Sequence, residues 1–212
     1  MILTEELENY EGQPLTRQVL MHILKDYKRP YDKINELTKA KKLIPIKRGV
    51  FIPGPATPVV VPEKILLANH LWGPSYVSSD SALSYWGMIP ERVYETVSMT
   101  TNRTKTYRTP IGRFSYIRLP LPYYSFGIQR IELASRQMAL IANREKAICD
   151  KIITTPGLKL RSVKQTKHYL MEDLRISREI LRELNTALVN DYLPDAPKAE
   201  SISILIKTLN DL

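Results

Sequence analysis

The chain has 212 residues and a formal net charge of +9, with 43% hydrophobic and 25% charged residues. These values exclude a disordered polyelectrolyte and leave room for one large domain, or for a small domain followed by a medium one. No apolar run approaches the roughly 18–20 residues of a membrane span, and MILTEELENYEG lacks the basic and apolar regions of a signal peptide. Cys149 is the only cysteine, so no intrachain disulfide can form, and His22, His70 and His168 stand apart from other ligand types. No metal and no cofactor are therefore expected, and the expected location is cytoplasmic.

The opening residues predict a short helix over Ile2–Tyr10, broken by Gly12 and Pro14. Leu15, Val19, Leu20, Ile23, Leu24 and Tyr27 then recur at helical spacing and predict an amphipathic helix over Leu15–Tyr27. Lys28, Arg29 and Pro30 form a turn into a second helix, in which Ile34 and Leu37 mark the buried stripe. Past Lys42 the period changes to two. Leu43–Ile46 and Val50–Ile52 flank Lys47, Arg48 and Gly49, the pattern of a hairpin with a glycine-assisted turn.

Helix, turn, helix and hairpin in this order predict a winged helix-turn-helix, in which the second helix enters the major groove. Charge follows the same division. Residues 1–24 carry a net −3, whereas residues 25–48 carry +6, an electrostatic footprint suited to phosphates. Tyr31, Lys33, Asn35 and Lys39 are the expected groove-facing set, with Asn35 suited to a bidentate adenine contact; Arg29, Lys42, Lys47 and Arg48 are expected at backbone phosphates. Asp32 and Glu36 share the outward face and oppose phosphate unless they are paired.

Four prolines between Pro53 and Pro62 oppose regular structure and mark a domain boundary. The division is thus a DNA-binding domain over 1–54, a proline-rich linker over 55–61 and a C-terminal domain over 62–212. Helices are expected over Pro62–Trp72 and Ser78–Tyr85, the latter capped by Ser79 or Asp80, with a brief strand at Tyr76–Val77 between them. SSDSAL has no neighbouring base, so capping rather than nucleophilic catalysis is its expected role. From Val93 to about residue 142 branched and aromatic residues predict a mostly antiparallel meander. No Asp or Glu occurs from Thr96 to Ile131, while Arg103, Lys105, Arg108, Arg113 and Arg118 do, which predicts a second basic surface facing DNA, RNA or an acidic protein, or a solvated strand edge. Residues 143–212 read as a helical tail, with Glu145, Lys146 and Asp150 pairing at the surface rather than converging on a metal. The overall expectation is an α+β chain with no catalytic residue.

The order of these pieces resembles the AbiEi family of antitoxins and transcriptional repressors from bacterial abortive-infection (phage-defence) toxin-antitoxin systems. The stretches that carry the resemblance are KRGVFIP, SYVSSDSALSYWGMIPERVYETVSMTT, TYRTPIGRFSYI and REKAICDKI, which with the N-terminal helices span roughly residues 15–153. The resemblance implies autoregulation, with the N-terminal domain binding inverted repeats in double-stranded DNA at the promoter of its own operon. It also implies a C-terminal domain that counters a nucleotidyltransferase-like toxin without a stable complex. Two other classes remain open from the residues: a metal-dependent nucleic-acid-processing enzyme using Glu145, Asp150 or Asp80, and a module that binds a toxin directly.

Overall fold

The structure, a computed structural model, describes residues 6–212 and contains both helices and sheets. The helix expected over Ile2–Tyr10 lies partly outside the described residues; residues 6–8 are helical. The next helix is shorter than its periodicity suggests. Leu15–Thr16 forms a strand, β1, and α1 covers Arg17–Ile23, with the Thr16 side chain accepting from the Val19 amide as N-cap. Tertiary pairing outweighs the apolar spacing at this point: Leu15 and Thr16 pair antiparallel with Phe51 and Val50.

Helix α2, Pro30–Lys39, starts with proline in its first turn, where a missing amide costs nothing, and buries Ile34 and Leu37. It leads into β2 (Leu43–Lys47) and β3 (Val50–Pro53), so the hairpin belongs to a three-stranded sheet of order β1-β3-β2. A register shift between Pro45 and Lys47 lets the two strands close on Arg48–Gly49, where Gly49 has φ +79°. The hairpin has two allegiances. Leu43 packs with Leu20, Leu24, Ile34 and Leu37 in a small N-terminal core, whereas Ile46 and Ile52 belong to the main core of the following residues.

The proline-rich segment is packed rather than free-standing: Val59 is buried in the N-terminal core, and the Val60 carbonyl accepts from the Gly12 amide at 3.1 Å. Gly54 makes the tightest approach. Its amide donates to Lys42 O at 2.8 Å, and a Cβ there would fall 2.1 Å from Lys41 O. Gly54→Ala is therefore expected to destabilise by at least the 1–3 kcal/mol typical of overpacking (about 2 kcal/mol as a central value), read as a lower denaturant midpoint with unchanged slope.

Beyond it lie α3 (Lys64–Leu71), β4 (Ser75–Val77), α4 (Ser79–Tyr85), β5 (Glu95–Thr100), β6 (Lys105–Thr109), β7 (Gly112–Arg118), β8 (Ile128–Glu132) and β9 (Met138–Ala142). The six strands order as β6-β7-β5-β4-β9-β8. This is a mixed sheet, not the expected meander: β4/β9 and β5/β7 pair in parallel, and the other three pairings are antiparallel. Burial accounts for the order. β7 carries fully buried Phe114 and Tyr116 and takes an interior place, while β6, half-exposed along its length, sits at the edge.

Consecutive residues in strands face opposite ways, so each face recruits its own cover. Tyr116 Oη donates to Ala68 O of α3 at 2.7 Å on one face. On the other, Tyr76 Oη donates to Asp150 Oδ2 at 2.9 Å, which fixes α5 (Arg144–Thr154) there. The tail adds α6 (Val163–His168), extended by a π-helical turn over Tyr169–Asp173, then α7 (Arg178–Arg182), α8 (Thr186–Tyr192) and α9 (Ala199–Asn210). The tail breaks between α7 and α8, with Asn185 capping α8 through the Ala187 amide. Among the described residues no helix is long and apolar enough to cross a membrane.

Candidate nucleic-acid interface

The outer face of α2 presents the polar residues that the helical spacing assigns to it. Arg29, Tyr31, Asn35, Lys39 and Lys42 are exposed, Tyr31 to 56%. The two acids on that face are paired: Glu36 accepts from Lys33 Nζ at 2.7 Å, and Asp32 lies 3.9 Å from Arg29. Pairing reduces the repulsion that Glu36 would offer a phosphate, while Asp32 has only a loose, exposed contact with Arg29. Pairing also occupies Lys33, whose ammonium is held above its ordinary pKa first by the Glu36 hydrogen bond and lies 5.5 Å from the Tyr27 ring. Lys33 is thus half-buried and bonded along the helix, leaving Asn35, Lys39 and Lys42 as the unencumbered polar set.

Arg48 stands exposed at the hairpin tip. Beside it, Arg17 was not singled out by the helical pattern, because that pattern placed it inside the first helix. With β1 paired to β3, the Arg17 amide donates to Gly49 O at 2.8 Å, and its guanidinium lies 5.9 Å from the Tyr31 ring. Arg17, Gln18 and Arg48 line an open cleft of about 380 Å³. The signal in the sequence is slight: β-branched Thr16 before a charged residue.

Lys47 takes a different position from the one the hairpin pattern implies. It belongs to β2, its ammonium donates to Leu71 O at the end of α3 (2.7 Å), and it lies 5.9 Å from the Trp72 ring and 5.6 Å from that of Tyr107. The reason is tertiary. The hairpin packs on the sheet, so the residue next to the exposed Arg48 turns to the opposite, covered side.

The arginines and lysine of the acid-free run are divided by strand alternation. Lys105 shares the side of Tyr107, Phe114 and Tyr116, whereas Arg108 and Arg113 are cross-strand partners on the other side. Arg113 is paired with Glu95 at 3.0 Å, just upstream of the run. Arg103 lies in the loop before β6, its carbonyl accepting from Trp72 Nε1 at 3.1 Å, and Arg118 is exposed at the end of β7. One surface is therefore not formed by all five residues.

The charges on α5 are buried, contrary to the surface role expected of them. Lys146 and Asp150 are both 0% exposed and 3.2 Å apart. Asp150 Oδ2 accepts from Tyr76 Oη (2.9 Å) and Ser78 Oγ (2.7 Å), and Oδ1 accepts from Tyr123 Oη (2.9 Å). Ser78 thus serves the carboxylate, and the cap expected from Ser79 or Asp80 does not form. A buried anion needs donors from every side; the i, i+4 spacing of Lys146 and Asp150 supplies one, and three hydroxyls supply the rest. Glu145 accepts from the Asn185 amide and Asp80 from Lys151, so the three carboxylates named for metal chemistry serve three separate partners. No protein-family model matches the chain, and no curated protein matches it.

Proposed function

We propose that the chain is a double-stranded DNA-binding autorepressor and antitoxin, in which α2 is the recognition helix and the β2–β3 hairpin the wing of a winged helix-turn-helix. The observation that carries the DNA half is the exposed face of α2, where Asn35, Lys39 and Lys42 stand free while Glu36 is bonded to Lys33 and Asp32 lies beside Arg29. Asn35 reads a base edge, Lys39 and Lys42 meet phosphates, and Arg48 with Arg17 holds the backbone at the wing. The antitoxin half rests on the resemblance to the AbiEi family. In this reading the operator consists of inverted repeats upstream of the chain's own gene, the protein is cytoplasmic, and the sheet domain counters a nucleotidyltransferase-like toxin without a stable complex.

The test is protection of the DNA upstream of the coding sequence by the full chain across a salt series. Binding is expected to weaken steeply with salt. Arg48→Ala should weaken binding to every duplex alike, and Asn35→Ala should mainly reduce discrimination, by about 1–3 kcal/mol at one base pair. An unprotected upstream region at low salt removes the repressor reading. In cells expressing the toxin, the same two variants should lose repression and retain rescue, since repression and antitoxicity are assigned to different domains.

A further inference from the structure

Two ammonium groups from distant parts of the chain meet on one aromatic pair. Lys105 Nζ lies 4.5 Å from the Trp72 ring centroid and 4.7 Å from that of Tyr107, on the same two rings that Lys47 approaches at 5.9 and 5.6 Å. Trp72 and Tyr107 are themselves 6.3 Å apart between centroids. Lys47 has one carbonyl acceptor, Leu71 O, and among the described residues neither lysine forms a salt bridge. The rings attract each cation, but they do not cancel the repulsion between the two.

The setting adds to the imbalance. The exposed Arg103 precedes Lys105 in the loop. No Asp or Glu occurs in the sequence from Thr96 to Ile131 to offset them. The Tyr107 hydroxyl is buried without a hydrogen-bond partner. Such a constellation lacks an anion.

The geometry points to a phosphate subsite between Lys47 and Lys105, backed by Trp72 and Tyr107, that takes the sugar–phosphate backbone of the same duplex read by α2. The inference rests on the DNA-binding reading above and extends it to the large sheet: edge strand β6 grips DNA together with the hairpin. Continuity favours a nucleic acid over an acidic protein. Lys47 and Arg48 are adjacent in the chain and project to the two flanks of one hairpin, so a polyanion with regularly spaced charges passing over the wing meets Arg48 on one flank and the two lysines on the other. The sheet domain then fixes how far the DNA path runs beyond the recognition helix.

The experiment is a salt series of equilibrium binding by the full chain, Lys105→Gln, Lys105→Arg and Arg48→Gln, using a duplex of the upstream region and a scrambled duplex. Lys105→Gln should make the slope of log K against log salt shallower by about one, as Arg48→Gln should, and should weaken both duplexes equally. Between 50 and 200 mM salt that is about a fourfold smaller loss of affinity than in the parent. Lys105→Arg should keep the parental slope, and the melting temperature of Lys105→Gln should stay near that of the parent, since the attraction lost to Trp72 and Tyr107 is offset by the repulsion lost from Lys47. An unchanged slope for Lys105→Gln with a reduced one for Arg48→Gln overturns the subsite and leaves the recognition helix in place. Absence of salt-dependent binding by the parent overturns both. If Lys105→Gln binds DNA like the parent but loses retention on poly-glutamate, the cation pair serves an acidic protein, and the DNA assignment is overturned.

Discussion

Asp150→Ala is expected to destabilise the protein by about 3–5 kcal/mol, the cost of stranding a buried charge. In the parent, Asp150 accepts from Tyr76, Ser78 and Tyr123 and is ion-paired with Lys146 at 3.2 Å, and neither the carboxylate nor the ammonium side chain is exposed to solvent. Removing the carboxylate leaves three hydroxyls without their acceptor and the Lys146 ammonium without a counter-charge, held by Tyr123 O (2.8 Å) and by aromatic rings, the nearest that of Tyr123 with its centroid 3.1 Å away. There is little room for relaxation. Gly127 lies so close that a Cβ on it would fall 2.6 Å from Lys146 Cβ. Against a typical total stability of about 5–15 kcal/mol, the loss should lower the melting temperature by roughly 6–20 °C. Replacing both charges, as in Lys146→Met with Asp150→Leu, should cost less than Asp150→Ala alone, because no buried charge remains. A melting temperature for Asp150→Ala within a degree or two of the parent would show that the network contributes little.

This network also marks where sequence reasoning stops. Elements defined by near neighbours were legible: Pro30 opens α2, Ile34 and Leu37 give its buried stripe, and Gly49 closes the hairpin. Each follows from spacing within one turn or one hairpin. REKAICDKI reads as a charged surface helix by the same logic, because lysine and aspartate are seldom buried; only the arrival of Tyr76, Ser78 and Tyr123 from other elements makes burial tolerable. The same applies to strand order. Composition indicates β structure from Val93 onward, but the insertion of β7 between β5 and β6 is decided by which strand must bury Phe114 and Tyr116. At the candidate interface, Asn35, Lys39, Lys42 and Arg48 lie exposed as their local pattern requires, whereas Lys47 is diverted by the packing of the hairpin on the sheet, and Arg17 is brought in by strand pairing.

The same buried hydroxyls predict an alkaline limit to stability. Six of the twelve tyrosines, Tyr76, Tyr116, Tyr123, Tyr124, Tyr169 and Tyr192, hold their protons above the ordinary phenol value, chiefly because burial penalises the phenolate; Tyr124 and Tyr192 are each pushed up to about 12. Asp150 adds to the shift at Tyr76 and Tyr123, and burial likewise raises the Cys149 thiol. A group whose folded value exceeds its unfolded value favours the folded state fully below the unfolded value, and that contribution is lost as pH rises above it. For the thiol the loss begins near pH 8.5 and for the phenols near pH 10, at about 1.4 kcal/mol per pH unit for each group still protonated in the fold. Lys146 acts in the opposite sense. Burial lowers its ammonium, so over the window below about pH 10.4 the unfolded chain binds the extra proton and stability rises with pH. Burial lowers the Lys198 ammonium too, but two lysines against six phenols and a thiol cannot hold the balance beyond pH 10, and cooperative unfolding is expected there, with phenolate absorbance rising in step with the loss of circular dichroism. Tyr123→Phe should make the fall of stability above pH 10 shallower by one proton while costing about 1–3 kcal/mol at neutral pH, since Asp150 loses one donor. If the phenolate signal were complete before the dichroism changed, the buried hydroxyls would not be the groups that set the limit.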